Sequence, residues 1–573
     1  MYFIVETGSM NTNKKAALHL AELCVQKGVT EVILSPGSRC APLVIAFNRH
    51  PEIKCYTITD ERSAAFFAMG IAQLKRKPVA IVCTSGTATL NYAPAIAEAY
   101  YQNIPLLVLT SDRPPQWIDQ GDMQSIRQDN VFENYIKKSF SLPTNEGEED
   151  MIYVDRIICE AINQTQFLEA GPVHINIPFN EPLYDLEEIN AENVKCIELI
   201  STEQRLPEAA VFQLKEELAK TKKIMVLCGL ISPNEKINAL INELSRKENV
   251  AIFTETTSNL NGPNLNTQID KIIDGVLEEE LEKIQPDLVI SLGGIVVSKK
   301  IKVLLRKNKN LEHWHVNPIA KHWDTYNSLT KLIPSSPEKF LESIIDFELN
   351  IESSYRQDLI NINTKKNKKA ENHLNQVDFC DLKAYDLILK NIPTNSILQL
   401  GNSTPVRYSN LFEYDQQLTF YSNRGVGGID GCLSTAVGMA NETDKLVVAI
   451  IGDLSLAYDS NGFWNNYFPK NLKIILINND GGNIFRIIKG PSSIDELGDF
   501  FETKNNISFE NLAATYNIGY EKCEDEKELK ECLNTFFDIN KNKTQLLEIK
   551  TPGINSAEVL RNYFSELKLT EKT

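Results

Sequence analysis

No stretch of this 573-residue chain stays apolar long enough to cross a bilayer, which takes about 20 consecutive apolar residues. Residues 1–10 lack a basic start followed by an apolar core, so no secretory leader is expected. Cysteine is sparse: 11 residues, an odd number, scattered and without CxxC spacing. That argues against a disulfide framework or a thiolate zinc site, and predicts reduced, mostly buried thiols in a cytoplasmic protein. Histidine occurs seven times, and only His313-Trp314-His315 places two of them on one face of a strand. No third ligand lies near in sequence, so a half-exposed strand pair is expected there rather than a metal site. Positive charge is also short, with 59 Lys and Arg against 76 Asp and Glu, a net −17. Nonspecific binding to nucleic acid or to an anionic membrane is disfavoured. An acidic substrate would need a local cluster of cations.

What is present is ordinary globular material, 42% hydrophobic and 24% charged. The length predicts about three or four domains. Buried β-type runs alternate with helical patterns in three regions, which predicts an α/β protein of three doubly wound parallel-sheet domains. The expected strands are Glu31–Leu34, Val79–Cys83, Leu106–Leu109 and Val173–Ile177 in a first domain, residues 1–185. Glu181–Pro207 is acidic, aperiodic and reads as a linker. A central domain, 205–350, carries Ile224–Leu227, Val250–Phe253, Leu288–Leu292 and Glu312–Val316. The polar stretch Asn350–Gln376, with Lys365-Lys366-Asn367-Lys368-Lys369, reads as a solvated helix or linker face. A third domain, 375–573, carries Ser396–Leu400, Leu418–Tyr421, Leu446–Ile451, Lys473–Ile477 and Gln545–Ile549. The first and third domains share a βα order, as two related cofactor-binding domains would.

In the third domain Asp453 follows one buried strand, and Asn478-Asn479-Asp480-Gly481-Gly482 follows the next. The 26 positions from Asp453 to Asn479 are the length of one βαβ unit. Ligands of open α/β sheets bind at this edge. A carboxylate, an amide oxygen and a backbone carbonyl are hard donors that suit Mg²⁺ held jointly with a diphosphate. An ordinary βαβ unit with turn residues in its loops would give the same pattern. A second feature lies far away: Thr59-Asp60-Glu61 caps a helix whose interior, Ser63–Ala72, is almost wholly small or apolar. Acid in a first turn is usually a solvated partner of the helix dipole. At the edge of a buried helix, however, Glu61 loses solvation for its charged form. Arginines form a third feature: Arg39, Arg113, Arg407 and Arg424 sit in loops after strands, in Ser35-Pro36-Gly37-Ser38-Arg39, Ser111-Asp112-Arg113-Pro114-Pro115, Gly401–Arg407 and Asn423-Arg424-Gly425. Each alone reads as a surface or salt-bridge residue. Four in an acidic chain suit a substrate set with several carboxylates, which guanidinium groups bind bidentately.

The segments Gly452-Asp453…Asn478-Asn479 and Glu61 resemble the signature of thiamine-diphosphate enzymes, with Leu454 where Gly is common. The loops at 35–39, 84–88, 110–115 and 423–431, with DERSAAFFAMGIA and NNDGGNIF, closely resemble the 2-succinyl-5-enolpyruvyl-6-hydroxy-3-cyclohexene-1-carboxylate synthase family of menaquinone biosynthesis, over nearly the whole chain. That resemblance implies thiamine diphosphate and Mg²⁺ (or Mn²⁺) as cofactors. It implies decarboxylation of 2-oxoglutarate, and 1,4-addition of the resulting succinyl-semialdehyde carbanion to isochorismate. Glu61 would protonate the aminopyrimidine, and Asp453, Asn479 and Gly481 would bind the metal. Ser403, Ile429, Leu454, Ser455 and Gly482 would contact the cofactor, with Ile429 as the wedge that bends it. Ser38, Arg39, Arg113, Gln124, Lys299, Lys300, Arg407, Arg424, Ile484 and Phe485 would contact substrate. Two positions depart from the family pattern. Met123 replaces an Asn before Gln124, and Lys299-Lys300 stands where Lys-Arg is usual, keeping charge but losing the planar fork. A homodimer or homotetramer with the site shared between subunits is implied as well.

Another 2-oxo acid carboligase, of the acetohydroxyacid synthase type, is the alternative enzyme; pyruvate brings only one carboxylate to four arginines. A regulatory or structural protein on the same folds would be expected to lose Glu61 or the metal ligands. A Rossmann dehydrogenase is disfavoured because no GxGxxG follows an early strand.

Overall fold

The computed structural model describes residues 10–568 apart from 277, 416, 489, 505 and 542; residues 1–9, read above for a leader, lie outside the described residues. Three six-stranded sheets carry the architecture, and every strand pairing in them is parallel. Helices cover both faces, which is why the inner strands read as unbroken apolar runs.

Numbered within each sheet, the first has the order 2-1-3-4-6-5, running Lys54–Thr57, Glu31–Leu34, Val79–Cys83, Leu106–Asp112, Val173–Pro178, Ser139–Ser141. The third sheet repeats that order: Thr419–Ser422, Ile397–Leu400, Val447–Gly452, Leu472–Asn478, Gln545–Lys550, Gly519–Cys523. The shared βα order thus extends to identical topology. The middle sheet differs, with order 3-2-1-4-5-6, the arrangement of dinucleotide-binding folds. Gly229-Leu230-Ile231-Ser232-Pro233 follows its first strand, so the glycine fingerprint of those folds is missing.

The chain gathers into two compact units. One comprises residues 1–201, 425–444 and 459–469 and holds the first sheet. The other comprises 202–424, 445–458 and 470–573 and holds the middle and third sheets. In the first unit, helix Glu61–Lys75 is buried without interruption from Ser63 to Gln73. It packs backbone to backbone on helix Cys432–Ala440. A Cβ on Gly70 would come 2.1 Å from the Thr435 carbonyl oxygen, and one on Gly438 would come 2.0 Å from that of Phe67. No residue but glycine fits either position.

Three expectations need correction. Within Glu181–Pro207, Leu186–Glu188 forms an antiparallel ladder with Met10–Thr12, so this segment is not a free linker. The lysine run lies on helix Tyr355–Gln376, and Lys366 is fully buried instead of solvated, its ammonium donating to the carbonyls of Ile272 and Asp274. His313 and His315 do share a strand face, but both are buried, and both ring systems bond the Ser291 hydroxyl, at 2.7 and 2.8 Å. Burial pushes the His313 imidazole down to about 4, so it stays neutral.

Candidate active site

In a 2-1-3-4 sheet the strand order reverses between strands 1 and 3, and a crevice opens beyond their C-terminal ends. In the third sheet those strands are Ile397–Leu400 and Val447–Gly452, followed by Gly401-Asn402-Ser403 and by Asp453. Ser403 holds φ +74, an uncommon conformation for a residue with a side chain, of the kind that concentrates at functional sites.

Asp453 starts a short helix, Asp453–Tyr458, and is buried. One carboxylate oxygen accepts from the Leu454 N–H at 2.8 Å and the other from the Gly481 N–H at 2.7 Å. Burial pushes its carboxyl up to about 6, against the pull of those two donors and of Lys550. The second bond ties the tip of this strand to the loop after its neighbour, Leu472–Asn478. There Asn479 is buried, and its Nδ2 donates to Asp381 Oδ2 at 2.9 Å, leaving Oδ1 to point elsewhere. Gly481 holds φ +124, and a Cβ there would come 2.4 Å from the Glu502 carbonyl oxygen. Gly482 N–H donates to that same carbonyl at 2.7 Å. The loop is closed by an ion pair between the Arg486 guanidinium and the buried Glu502 carboxylate. Ile484 and Phe485 follow on the helix Ile484–Ile487, both half-buried, with Phe485 edge-on to Phe501 at 5.5 Å.

These residues fit a divalent cation and a polar cofactor. The donors are hard oxygens only, from a desolvated carboxylate, an amide held by its nitrogen end, and a carbonyl on a glycine. Asn483 is buried beside Asp381 and helps to hold its carboxylate. Leu454 is half-buried and Ser455 buried in the first turn after Asp453.

Two of the four arginines lie in this unit. Arg407 donates from Nη1 to the Ser403 carbonyl at 2.6 Å, and Arg424 donates from Nη1 to Asn402 Oδ1 at 3.0 Å. Burial, then the nearby Arg424, disfavours the charge on Arg407, while the carboxylates of Asp270 and Glu255 favour it. Glu255 is buried and accepts from the N–H groups of Val297 and Ser298 at 2.6 and 2.7 Å. The lysine pair opens helix Lys299–Lys307 and its members diverge. Lys299 is exposed. Lys300 is tied to Asp274 at 2.5 Å and lies over the Phe564 ring. Lys302, which sequence reasoning passed over, donates to the Val296 carbonyl at 2.7 Å, and burial holds its ammonium below the usual lysine range.

The remaining candidates lie in the first unit. Glu61 is the first residue of its helix, half-buried, with Asn91 Nδ2 at 3.4 Å from its carboxylate. Asp60 caps the helix by accepting from the Ser63 N–H at 2.9 Å. The first sheet's own crevice lies between Glu31–Leu34 and Val79–Cys83, and there Gly37 passes so close to Thr84 that a Cβ would stand 2.4 Å from the threonine's. That contact fixes the loop carrying Ser38, which is exposed, and Arg39, which is buried. Arg39 donates to the Phe179 carbonyl at 3.1 Å and pairs with the exposed Glu181 at 2.9 Å. Arg113 donates to the Met123 carbonyl at 2.7 Å and pairs with Asp122 at 2.9 Å. Both arginines line one cleft of about 770 Å³, together with Trp117, Asp122 and Glu181. Gln124 is exposed, at φ +54, on the loop beyond Met123. Ile429 is 38% exposed, well short of what its size would bury in a core. The loop leading to it is held by Glu98, whose buried carboxylate accepts from the N–H groups of Gly425, Val426 and Gly427. Such a row of backbone donors is an anion nest, here filled by the protein's own side chain. Asp381, Lys302 and Glu98 carry no sequence signal, because their partners lie far along the chain or on a different element.

Compared with known proteins, residues 14–131 match the family described as thiamine pyrophosphate enzyme, N-terminal TPP binding domain, and residues 401–549 match its C-terminal TPP binding domain. A 2-succinyl-5-enolpyruvyl-6-hydroxy-3-cyclohexene-1-carboxylate synthase of Flavobacterium psychrophilum is 43% identical, covering 96% of this chain and 98% of its own length. The synthase of the same name from Flavobacterium johnsoniae is 39% identical over the same shares. Among solved structures, benzoylformate decarboxylase from Polynucleobacter necessarius superposes with a TM-score of 0.70 at 15% identity, covering 94% of this chain and 98% of its own, a likeness of fold.

Proposed function

We infer the activity from one premise: the chain belongs to the 2-succinyl-5-enolpyruvyl-6-hydroxy-3-cyclohexene-1-carboxylate synthase family of thiamine-diphosphate enzymes. It is a thiamine-diphosphate-dependent synthase of menaquinone biosynthesis, acting on 2-oxoglutarate and isochorismate. The observation that carries this reading is the near-full-length match to synthases of that name. Thiamine diphosphate supplies the electron sink that lets a 2-oxo acid lose CO₂ and its remainder act as a nucleophile.

The residues divide the remaining work. Asp453, Asn479 through Oδ1, and the Gly481 carbonyl would hold Mg²⁺, or Mn²⁺, which would neutralise the charge of the diphosphate. Leu454, Ser455 and Gly482 are the backbone around that seat, and Ile429 is the apolar wedge against the cofactor. Glu61 holds the proton on N1′ of the aminopyrimidine. Arg407 and Arg424, with Ser403, take the carboxylates of 2-oxoglutarate. Ser38, Arg39, Arg113 and Gln124 take those of isochorismate. Ile484 and Phe485 exclude water from the apolar wall, and Lys299 and Lys300 add positive charge from the central domain. Four arginines favour this pair of acids over the single carboxylate of pyruvate. A three-domain division at 1–185, 205–350 and 375–573 is supported by each range carrying one six-stranded sheet.

The arginine division is tested by separating the half-reactions. Truncating an arginine that leaves a substrate carboxylate desolvated removes about 2–5 kcal/mol of binding. Arg407→Ala is expected to slow single-turnover CO₂ release from 2-oxoglutarate alone, and Arg113→Ala to spare that release while impairing the joined product. If Arg113→Ala abolishes CO₂ release and Arg407→Ala leaves it intact, the division is reversed.

The family relationship also supports a homodimer or homotetramer. Light scattering on the eluting protein is expected to give about two or four times the 64.6-kDa chain mass; a stable monomer with full activity would refute it. A cytoplasmic location is supported by 11 free cysteines. No helix among the described residues is long and apolar enough to cross a membrane.

A further inference from the structure

Asp381 opens helix Asp381–Asn391 and is completely buried. Both of its carboxylate oxygens are occupied as acceptors. Oδ2 receives Asn479 Nδ2 at 2.9 Å, and Oδ1 receives the Thr551 hydroxyl. Its own backbone N–H donates to the Ser556 hydroxyl at 3.0 Å, which fixes where the carboxylate stands. Thr551 follows strand Gln545–Lys550, the neighbour of Leu472–Asn478, and its N–H donates to the Asn478 carbonyl at 3.0 Å. The carboxylate is therefore built into the same sheet edge that presents Asn479. Two residues after Thr551, a Cβ on Gly553 would come 2.2 Å from the Asn479 carbonyl oxygen, so the backbone of Asn479 is held as closely as its side chain.

A carboxamide has two ends of almost equal shape, one a donor and one an acceptor. Only the oxygen can bind a cation. Nothing in the shape of Asn479 decides which end faces outward, but an acceptor-only neighbour does. We propose that Asp381 is a positioning residue for the metal seat: by accepting only the NH₂ end of Asn479, it turns Oδ1 toward the cation. This rests on the reading of Asn479 as a metal ligand. Outer partners of this kind orient ligands and change metal affinity by about 10–100-fold when altered.

The test is Mg²⁺ affinity, measured by calorimetry on the full-length protein at saturating thiamine diphosphate, for the wild type, Asn479→Ala, Asp381→Asn and Thr551→Val. Asp381→Asn keeps the shape but offers Asn479 both a donor and an acceptor, so the amide can turn over. It is expected to weaken Mg²⁺ binding about 10–100-fold, with wild-type circular dichroism. Thr551→Val frees one side of the carboxylate without touching Asn479, and is expected to weaken binding about 10-fold, at the low end of such effects. If Asn479→Ala weakens Mg²⁺ and Asp381→Asn matches the wild type, Asp381 is only a fold residue and the proposal is overturned while the metal seat stands. If Asn479→Ala leaves Mg²⁺ affinity unchanged, the metal reading fails and the proposal with it. Should Asp381→Asn not fold, a wild-type Mg²⁺ affinity for Thr551→Val overturns the proposal by itself.

Discussion

Glu61→Gln is expected to lower turnover by about 10²–10⁴-fold, the usual contribution of a positioned acid or base, while thiamine diphosphate still binds. The expectation follows from how the carboxyl is held. Glu61 is the first residue of a helix whose next turns are completely buried, and Gly70 and Gly438 let that helix meet a second one at backbone distance. The carboxyl therefore cannot drift with a flexible loop. Its surroundings are half-open, with Asn91 as one polar neighbour, so it can meet a ligand. Glutamine fills the same volume and keeps a hydrogen bond, but it cannot exchange a proton. Steady-state rates with cofactor affinity measured alongside decide the matter. A near-wild-type rate would remove Glu61 from the chemistry and leave it as a dipole partner at a helix start.

Asp453→Ala is expected to lower thiamine-diphosphate affinity by more than about 100-fold at limiting Mg²⁺. That exceeds the roughly 10–100-fold effect of groups that only orient a ligand. Asp453 supplies the only charged donor of the proposed seat; the other two donors are an amide and a carbonyl. It also has a structural part, since its carboxylate links the Leu454 and Gly481 N–H groups across two strand ends. Raising Mg²⁺ separates the two parts. Affinity that recovers at high Mg²⁺ marks a lost ligand, and affinity that does not recover marks a collapsed loop. Unchanged affinity at low Mg²⁺ would leave Asp453 as a turn residue.

The sheets were largely legible in the sequence because their inner strands are covered on both faces. Val79–Cys83 and Val447–Ile451, for example, are buried at every position and so are uniformly apolar. In the three six-stranded sheets the strands without a sequence signal are Lys54–Thr57, Ser139–Ser141, Leu265–Asn266, Leu329–Ile333 and Gly519–Cys523, and each is the edge of its sheet. Edge strands face solvent along one side, so four of these five carry no apolar run and the remaining one is only two residues long. The strand tips that hold Asp453, Asn479 and Ser403 were legible for the same reason as the inner strands. What could not be read is what crosses the chain. Asp381 lies 98 residues from the Asn479 it holds. Lys366 looked solvated because its neighbours in sequence are, yet helix geometry turns that one position inward. Nor could spacing show that the cleft arginines stand paired with Asp122 and Glu181.

The most direct measurement is mass spectrometry of the products formed by the purified chain supplied with thiamine diphosphate, Mg²⁺, 2-oxoglutarate and isochorismate. The account predicts CO₂ and 2-succinyl-5-enolpyruvyl-6-hydroxy-3-cyclohexene-1-carboxylate, both dependent on each cofactor. Release of CO₂ with succinic semialdehyde as the sole product, or a joined product from pyruvate in place of 2-oxoglutarate, would contradict it.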